Sequence, residues 1–151
     1  MRIPAHFLVI PLLALSGCDS ASDPTKLRAG DEQVVAQGRV IYMAQCASCH
    51  GARLEGQPMW HQRDATGHLP APPHDSKGHT WHHPDEVLFR ITKYGVAKAA
   101  NLPGYQSNMP AFEGVLNDAE IVAVLSFIKA QWPEKYRSAQ EEVNANHLRK
   151  P

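Results

Sequence analysis

The sequence lacks a charge bias, because its 151 residues include 15 Lys and Arg against 15 Asp and Glu. Bulk charge therefore indicates no nucleic-acid partner and no attraction to an anionic membrane surface. Aromatic residues make up only 7% of the chain, which is little for the core of a domain. The length allows one small domain with extensions and excludes two full domains.

No apolar run of the sequence is long enough for a bilayer-spanning helix, which takes about 20 residues. The apolar stretch at positions 3–15 is shorter, contains Pro4 and Pro11, and follows the positively charged Arg2. A short apolar segment behind a positive residue and before small residues is typical of a secretory signal peptide. We therefore expect this segment to be a signal for export.

The end of this segment carries a more specific motif, Leu-Ser-Gly-Cys at positions 15–18. It resembles the lipobox of bacterial lipoproteins, which implies that residues 1–17 form a lipoprotein signal peptide and that Cys18 is lipidated. Asp19 resembles an inner-membrane retention signal of Gram-negative bacteria. The resemblance implies a lipid anchor at the periplasmic face of the inner membrane. The alternative is an ordinary signal peptide with a chance cysteine.

Cysteine is scarce, and two of the three cysteines lie in the run Cys-Ala-Ser-Cys-His that ends at His50. A Cys-x-x-Cys-His run is a site of c-type haem attachment. The thiols of Cys46 and Cys49 would form thioether bonds to the two vinyl groups of one haem, and His50 would ligate the iron. With Cys18 assigned to lipid, no cysteine is left for a disulfide. The single motif predicts one covalent haem c; half of a zinc site is the alternative, with downstream histidines as further ligands.

The spacing of apolar residues predicts three helices. Gly38 in the interior of the first is costly for a helix and indicates a close crossing by another helix, with Tyr42 at the same crossing. The second helix begins with Pro84 at a favoured first position. Asn117 caps the third in a capping-box-like start, and Pro133 marks its end. The predicted helices cover about residues 31–47, 84–95 and 117–132.

The segments between and around these helices lack a sustained period. Residues 51–83 are rich in Gly, Pro and His, and a loop of this length is usually functional or disordered. Residues 18–30 are expected to form the lipidated cysteine and a flexible tether. The domain itself is predicted at 31–133, followed by a polar extension at 134–151 that is either a solvated helix or a frayed tail.

The iron needs a sixth ligand or an open site, and Met with His is a usual pair. Met1 lies in the signal, Met43 on the helix of the proximal side, and Met59 only nine residues after the haem motif. Met109 lies in an irregular stretch before the last helix, and Pro110 restricts its backbone to an extended conformation. We therefore predict Met109 as the second axial ligand.

Three features together resemble a class I cytochrome c domain over about residues 31–133: the haem motif at the end of the first helix, Met109 before Pro110, and a final helix. The resemblance implies an all-α fold in which the N- and C-terminal helices cross beside one covalently bound haem. It also implies which residues pack at the crossing. These would be Gly38 and Tyr42 against Val124 and Phe127.

The same resemblance implies that a proline carbonyl accepts a hydrogen bond from the ring N–H of the proximal histidine and orients it. Pro72 is the best match in this sequence, and Pro70 and Pro58 are the alternatives.

Six of the nine histidines lie between His61 and His83. We interpret this segment as a polar loop at the haem edge, in which Trp81 or a histidine bonds a haem propionate. Two alternatives remain open. The loop binds copper or zinc, since imidazole suits both metals, or one of its histidines replaces Met109 on the iron.

The leading functional hypothesis follows from six-coordinate iron held by His50 and Met109, which has no open position for a substrate. Such a protein is an electron carrier rather than an enzyme, acting alone or as a subunit of an oxidoreductase complex. Its partners would be redox proteins that the sequence does not identify. The alternatives are a metal-handling lipoprotein that uses the histidine loop and a haem enzyme or gas sensor with an open sixth position.

Overall fold

The computed structural model describes residues 23–149, and these residues contain helices and no strand. The expected signal peptide, the lipidation at Cys18 and the signal at Asp19 lie outside the described residues. The all-α prediction is confirmed. The elements in chain order are α1 (Glu32–Gln45), α2 (Ala47–His50), a 3₁₀ turn (Thr80–His82), α3 (Asp85–Tyr94), α4 (Val96–Ala99), α5 (Asp118–Ala130) and α6 (Glu134–Leu148).

Helix α5 is the centre of the fold, because residues around its whole circumference are buried. It begins with a capping box: Asn117 Oδ1 accepts from the Glu120 amide at 3.0 Å, and Glu120 accepts from the Asn117 amide at 2.8 Å. This start is the one that the sequence predicts. The helix ends at Ala130, and Pro133 then serves as the N-cap of α6 instead of ending the helical part of the chain.

Helix α1 crosses α5 at Gly38, as its position in the sequence predicts. A Cβ on Gly38 would overlap the carbonyl group of Ala123 and would lie 2.9 Å from Cβ of Phe127. One turn on, the Tyr42 ring lies 5.4 Å from the Phe127 ring, centroid to centroid. The expected Phe127 thus lies at the crossing, but the atoms nearest to position 38 belong to Ala123 and not to the expected Val124, because the closest approach involves the α5 backbone and not a large side chain.

Helix α3 agrees with its predicted position, with one shift at its start, whereas the four-residue helix α4 lies in a segment that was expected to be irregular. Pro84 is the N-cap of α3 and not its first helical residue, because its ψ of 157° is extended. Gly95 ends the helix with a φ of 80°, a conformation that glycine adopts without steric cost.

Helix α6 packs on the domain, with Gln140 fully buried on its inner face. Of the two readings left open for this segment, the helix is therefore correct for Glu134–Leu148. The Gln140 amide reaches the carboxylate of Asp85 at the start of α3. Lys129 of α5 is 3% exposed and pairs with the same carboxylate and with Glu141 of α6. The extension thus shares a buried polar cluster with the helices of the domain.

The expected tether is shorter than residues 18–30. Leu27 is only 5% exposed, and its amide donates to the Asp85 carboxylate at 2.9 Å. The Arg28 amide donates to Ser126 Oγ at 2.8 Å. Polar side chains of the folded domain thus bind the backbone of Leu27 and Arg28, so the chain is already docked on the domain at Leu27. Among residues 23–149, no helix is both long and apolar enough to cross a membrane.

Candidate functional site

The Cys-x-x-Cys-His run forms a single tight turn of helix directly after α1. Cys46 is the C-cap of α1, and its carbonyl accepts from the amides of Cys49 at 3.2 Å and His50 at 2.9 Å. Within residues 23–149 neither cysteine is part of a disulfide; Cys46 is half-buried and Cys49 is exposed. Burial, and then the neighbouring Cys49, raises the pKa of the Cys46 thiol to about 11. The turn brings the two predicted attachment thiols and the predicted ligand together.

The His50 ring is buried and has one defined hydrogen bond. Its Nδ1 lies 2.9 Å from the carbonyl oxygen of Pro72, which leaves Nε2 as the nitrogen available to a metal. Burial lowers the pKa of His50, although the hydrogen bond to Pro72 opposes the shift. A neutral imidazole is the form that ligates a metal. Of the three prolines considered from the sequence, Pro72 is the one that has this contact.

Pro72 reaches His50 because the loop folds back on itself through backbone contacts. The Gly56 amide donates to His50 O at 2.8 Å, and the Gln57 amide donates to Ala71 O at 2.9 Å. Gly56 has a φ of +68°, and a Cβ there would lie 2.7 Å from the carbonyl carbon of Pro72. Only glycine combines this backbone conformation with so close an approach.

His74 is a site residue that the sequence did not single out from the other loop histidines. Its ring stacks on the His50 ring, with centroids 3.9 Å apart and planes 22° apart. Its Nδ1 bonds Thr80 Oγ1 at 2.9 Å. Burial, and then the neighbouring His50 and His79, hold the pKa of His74 well below its usual range. No spacing rule could have found this contact, because it depends on the path of an aperiodic loop.

Trp81 has a buried polar atom that finds no partner among residues 23–149. Its indole Nε1 has no hydrogen-bond acceptor there, although its ring is packed, stacked on His82 at 3.6 Å and edge-on to Tyr136 at 4.9 Å. A buried N–H without an acceptor is costly and is usually paired in the functional protein. The predicted haem propionate would supply such an acceptor.

Met109 is half-buried and packs against the core, whereas Met43 and Met59, the other methionines of residues 23–149, are 50% and 60% exposed. Its amide donates to Ser107 Oγ at 3.1 Å. Just beyond Pro110, the amide of Phe112 donates to Thr92 O at 3.1 Å and so ties the segment to α3. Met109, which the sequence analysis predicts as the second iron ligand, is thus the one of these three methionines that packs against the core.

Of the remaining loop histidines, His61, His79, His82 and His83 contact aromatic rings or one another, and the His68 ring bonds Thr66. The His79 ring stacks on Trp60 at 5.4 Å and lies 5.5 Å from the His83 ring. Within residues 23–149, however, no three His, Cys, Asp or Glu side chains are grouped so that they could hold a metal ion. The copper or zinc alternative therefore has no three-ligand site in this part of the chain.

These residues together fit a covalent haem. The two cysteine sulfurs lie beside the buried His50, whose Nδ1 is hydrogen-bonded and whose Nε2 is available. The half-buried Met109 offers a second iron ligand, and the unpaired indole N–H of Trp81 offers a hydrogen-bond donor. Soft sulfur and imidazole ligands are those that haem iron takes in electron-transfer proteins.

Comparison with models of known protein families identifies a match to most of the folded part of the chain. A family model described as Cytochrome c matches residues 35–132, which is more than half of the chain. The matched span contains the haem motif, Pro72 and Met109. No curated protein and no solved structure matches the chain.

Proposed function

The chain belongs to the cytochrome c family, and from this premise we propose that it is a membrane-anchored, periplasmic carrier of single electrons. The family binds haem c covalently and transfers electrons, and this chain has one attachment motif, so it carries one haem. In the proposed protein Cys46 and Cys49 hold that haem. Electrons pass between redox proteins whose identity is not encoded in the site.

The contact that carries the proposal is the hydrogen bond between His50 Nδ1 and Pro72 O. The carbonyl oxygen keeps a proton on Nδ1 and thereby fixes the tautomer in which Nε2 ligates the iron. It also increases the basicity of the ligand. The haem would supply a one-electron iron couple when bound. His50 would hold its iron, and the Trp81 indole N–H would donate to a propionate.

Met109 completes the coordination in this proposal. If His50 and Met109 both bound the iron, no coordination position would be left for a substrate or a gas, which supports a carrier over an enzyme or sensor. The backbone bonds after Pro110 hold the methionine segment on α3, so the sulfur is presented by a fixed loop. Ligation by the Met109 thioether together with His50 would favour the reduced state and raise the reduction potential.

The lipobox supports the location. Lipidation of Cys18 would fix the domain to a membrane, and Asp19 would keep it on the inner membrane facing the periplasm. One acyl chain binds a bilayer only marginally, so stable anchoring needs more than one. A carrier anchored in this way would exchange electrons with membrane complexes or belong to one of them.

Substituting Met109 by Ala tests the ligand assignment in the haem-loaded protein. We expect the wild-type ferric protein to show the red-region sulfur-to-iron charge-transfer band, and M109A to lose it together with a fall in reduction potential, since a thioether raises that potential. M59A is the matched control, because Met59 is 60% exposed, and it should keep both. A band that persists in M109A would show that another residue ligates the iron.

A further inference from the structure

One face of the proposed proximal ligand His50 is covered by a second imidazole, that of His74. The two rings are nearly parallel, 22° apart, and their centroids are separated by 3.9 Å, which is van der Waals contact between flat groups. The His74 ring also lies steeply inclined to the Tyr42 ring, with 6.5 Å between centroids and 70° between planes. His74 thus occupies the space into which His50 would turn if it rotated.

His74 is itself held at three points that do not involve His50. Its amide donates to Leu54 O at 2.8 Å, and its carbonyl accepts from Trp132 Nε1 at 2.7 Å. Its ring nitrogen Nδ1 bonds the hydroxyl of Thr80 at 2.9 Å. Thr80 is 5% exposed and Trp132 is 1% exposed, so both partners are fixed in the interior.

We propose that His74 is a positioning residue that fixes the plane of the His50 ring. The proposal rests on the proposed function only in taking His50 as an iron ligand. The hydrogen bond to Pro72 fixes the direction of one N–H, but a single bond allows the ring to rock about that direction. A flat neighbour in contact with the ring face removes this freedom. The orientation of the ligand is then set by Thr80 and Trp132, far along the chain, as well as by the haem motif.

The decisive comparison uses two replacements of His74 in the haem-loaded protein. H74Q keeps a polar group for Thr80 but loses the ring, whereas H74F keeps a flat ring but loses the hydrogen bond. H61Q is the matched control, because His61 is exposed and lies outside the stack. The readout is the set of haem-methyl proton shifts of the ferric cyanide adduct, which depends on the plane of the histidine ligand.

In H74Q we expect the spread of the haem-methyl shifts to narrow, since the His50 ring is then free to sample several planes. In the protein without cyanide, we expect the main ferric EPR signal of H74Q to broaden for the same reason. In H74F the spread of the haem-methyl shifts should differ from the wild-type spread by no more than it does in the control H61Q. An unchanged spread in H74Q would overturn the proposal, as would equal narrowing in H74Q and H74F.

If H74Q does not fold with haem, H74L provides the same test, because an apolar side chain of similar size fills the space of the His74 ring without giving the His50 ring a flat neighbour. H74L should narrow the spread of the haem-methyl shifts, and a wild-type spread in H74L would overturn the proposal. Cyanide occupies the sixth position in every variant, so a wrong assignment of Met109 would not alter this comparison. That error would appear separately, as a missing charge-transfer band in the wild-type protein without cyanide.

Discussion

At the scale of single residues, Gly38 sets the distance between α1 and α5. The helices approach so closely that the carbonyl of Ala123 takes the place of a side chain at position 38. Helix α1 accepts the lower helix propensity of glycine, about 1 kcal/mol relative to Ala, because this contact places Tyr42 against Phe127. Tyr42 in turn donates to Gly51 O at 2.8 Å, directly after His50. One small residue therefore affects the haem motif through its neighbours.

Replacing Gly38 with Ala should destabilise the protein by about 2 kcal/mol or more, because overpacking against an unyielding backbone costs more than the gain in helix propensity. Urea unfolding of the haem-loaded protein, followed by far-UV circular dichroism, would measure the change. G30A is the matched control, since a Cβ at Gly30 meets nothing within 4 Å, and it should change stability by less than about 0.5 kcal/mol. Equal effects in the two variants would contradict this account of the crossing.

The site residues differ in how far the sequence could reveal them. Cys46, Cys49 and His50 follow from one contiguous motif, because the chemistry of thioether attachment demands that spacing. Pro72 could be proposed only through a resemblance, and His74 not at all. The contacts of Pro72 and His74 depend on the path of residues 51–83. Local hydrogen bonds and glycine conformations fix this backbone, and they leave no periodic pattern in the sequence.

At the scale of elements, the charges shared by α3, α5 and α6 hold the C-terminal helix in place. Asp85 and Lys129 are 6% and 3% exposed and face each other with 3.7 Å between Oδ1 and Nζ. Partial burial is the largest single effect on Glu141 and raises its pKa, but the hydrogen bond and charge of Lys129, together with Asn144 and Lys26, lower the pKa by more in sum, so the net shift is downward. Burying one of these charges without its partners would be costly.

Substituting Lys129 by Met should destabilise the domain by about 3 kcal/mol, because Asp85 would remain buried without a counter-charge. Thermal or urea unfolding measures the loss, and adding Asp85→Asn to K129M should recover part of it. K77M serves as a control, because Lys77 is exposed and its side chain has no ion pair in the described structure. A K129M protein as stable as K77M would mean that the cluster contributes nothing to α6 docking.

Helix prediction succeeded where an apolar stripe or a capping side chain marks the helix, missed the four-residue α4, and left alternatives open for α6. Helices α1, α3 and α5 have both or one of these signals. Helix α6 has neither: its N-cap Pro133 makes no side-chain cap bond, and its buried residue is the polar Gln140. A polar helix docked by hydrogen bonds to a buried carboxylate has the same composition as a frayed tail, so only the folded structure separates the two.

At the scale of the whole molecule, the proposed location at the inner membrane depends on the lipobox that ends at Cys18. Replacing Cys18 with Ser should move most of the protein from the membrane fraction to the soluble periplasmic fraction, because no lipid could then be attached, and fractionation of cells would measure it. D19S retains the cysteine and should stay membrane-bound while moving toward the outer membrane. If C18S stayed in the membrane fraction, the lipid anchor would be refuted.

The docking of Leu27 on Asp85 limits how far such an anchored domain can move. Eight residues separate Cys18 from Leu27, and a chain of that length spans at most about 30 Å when fully extended. A lipid at Cys18 would confine the domain to a thin layer above the bilayer, where its effective concentration toward other membrane proteins is high. The buried carboxylate of Asp85, by holding the backbone of Leu27, would then set the thickness of that layer and so the height at which a redox partner can receive an electron.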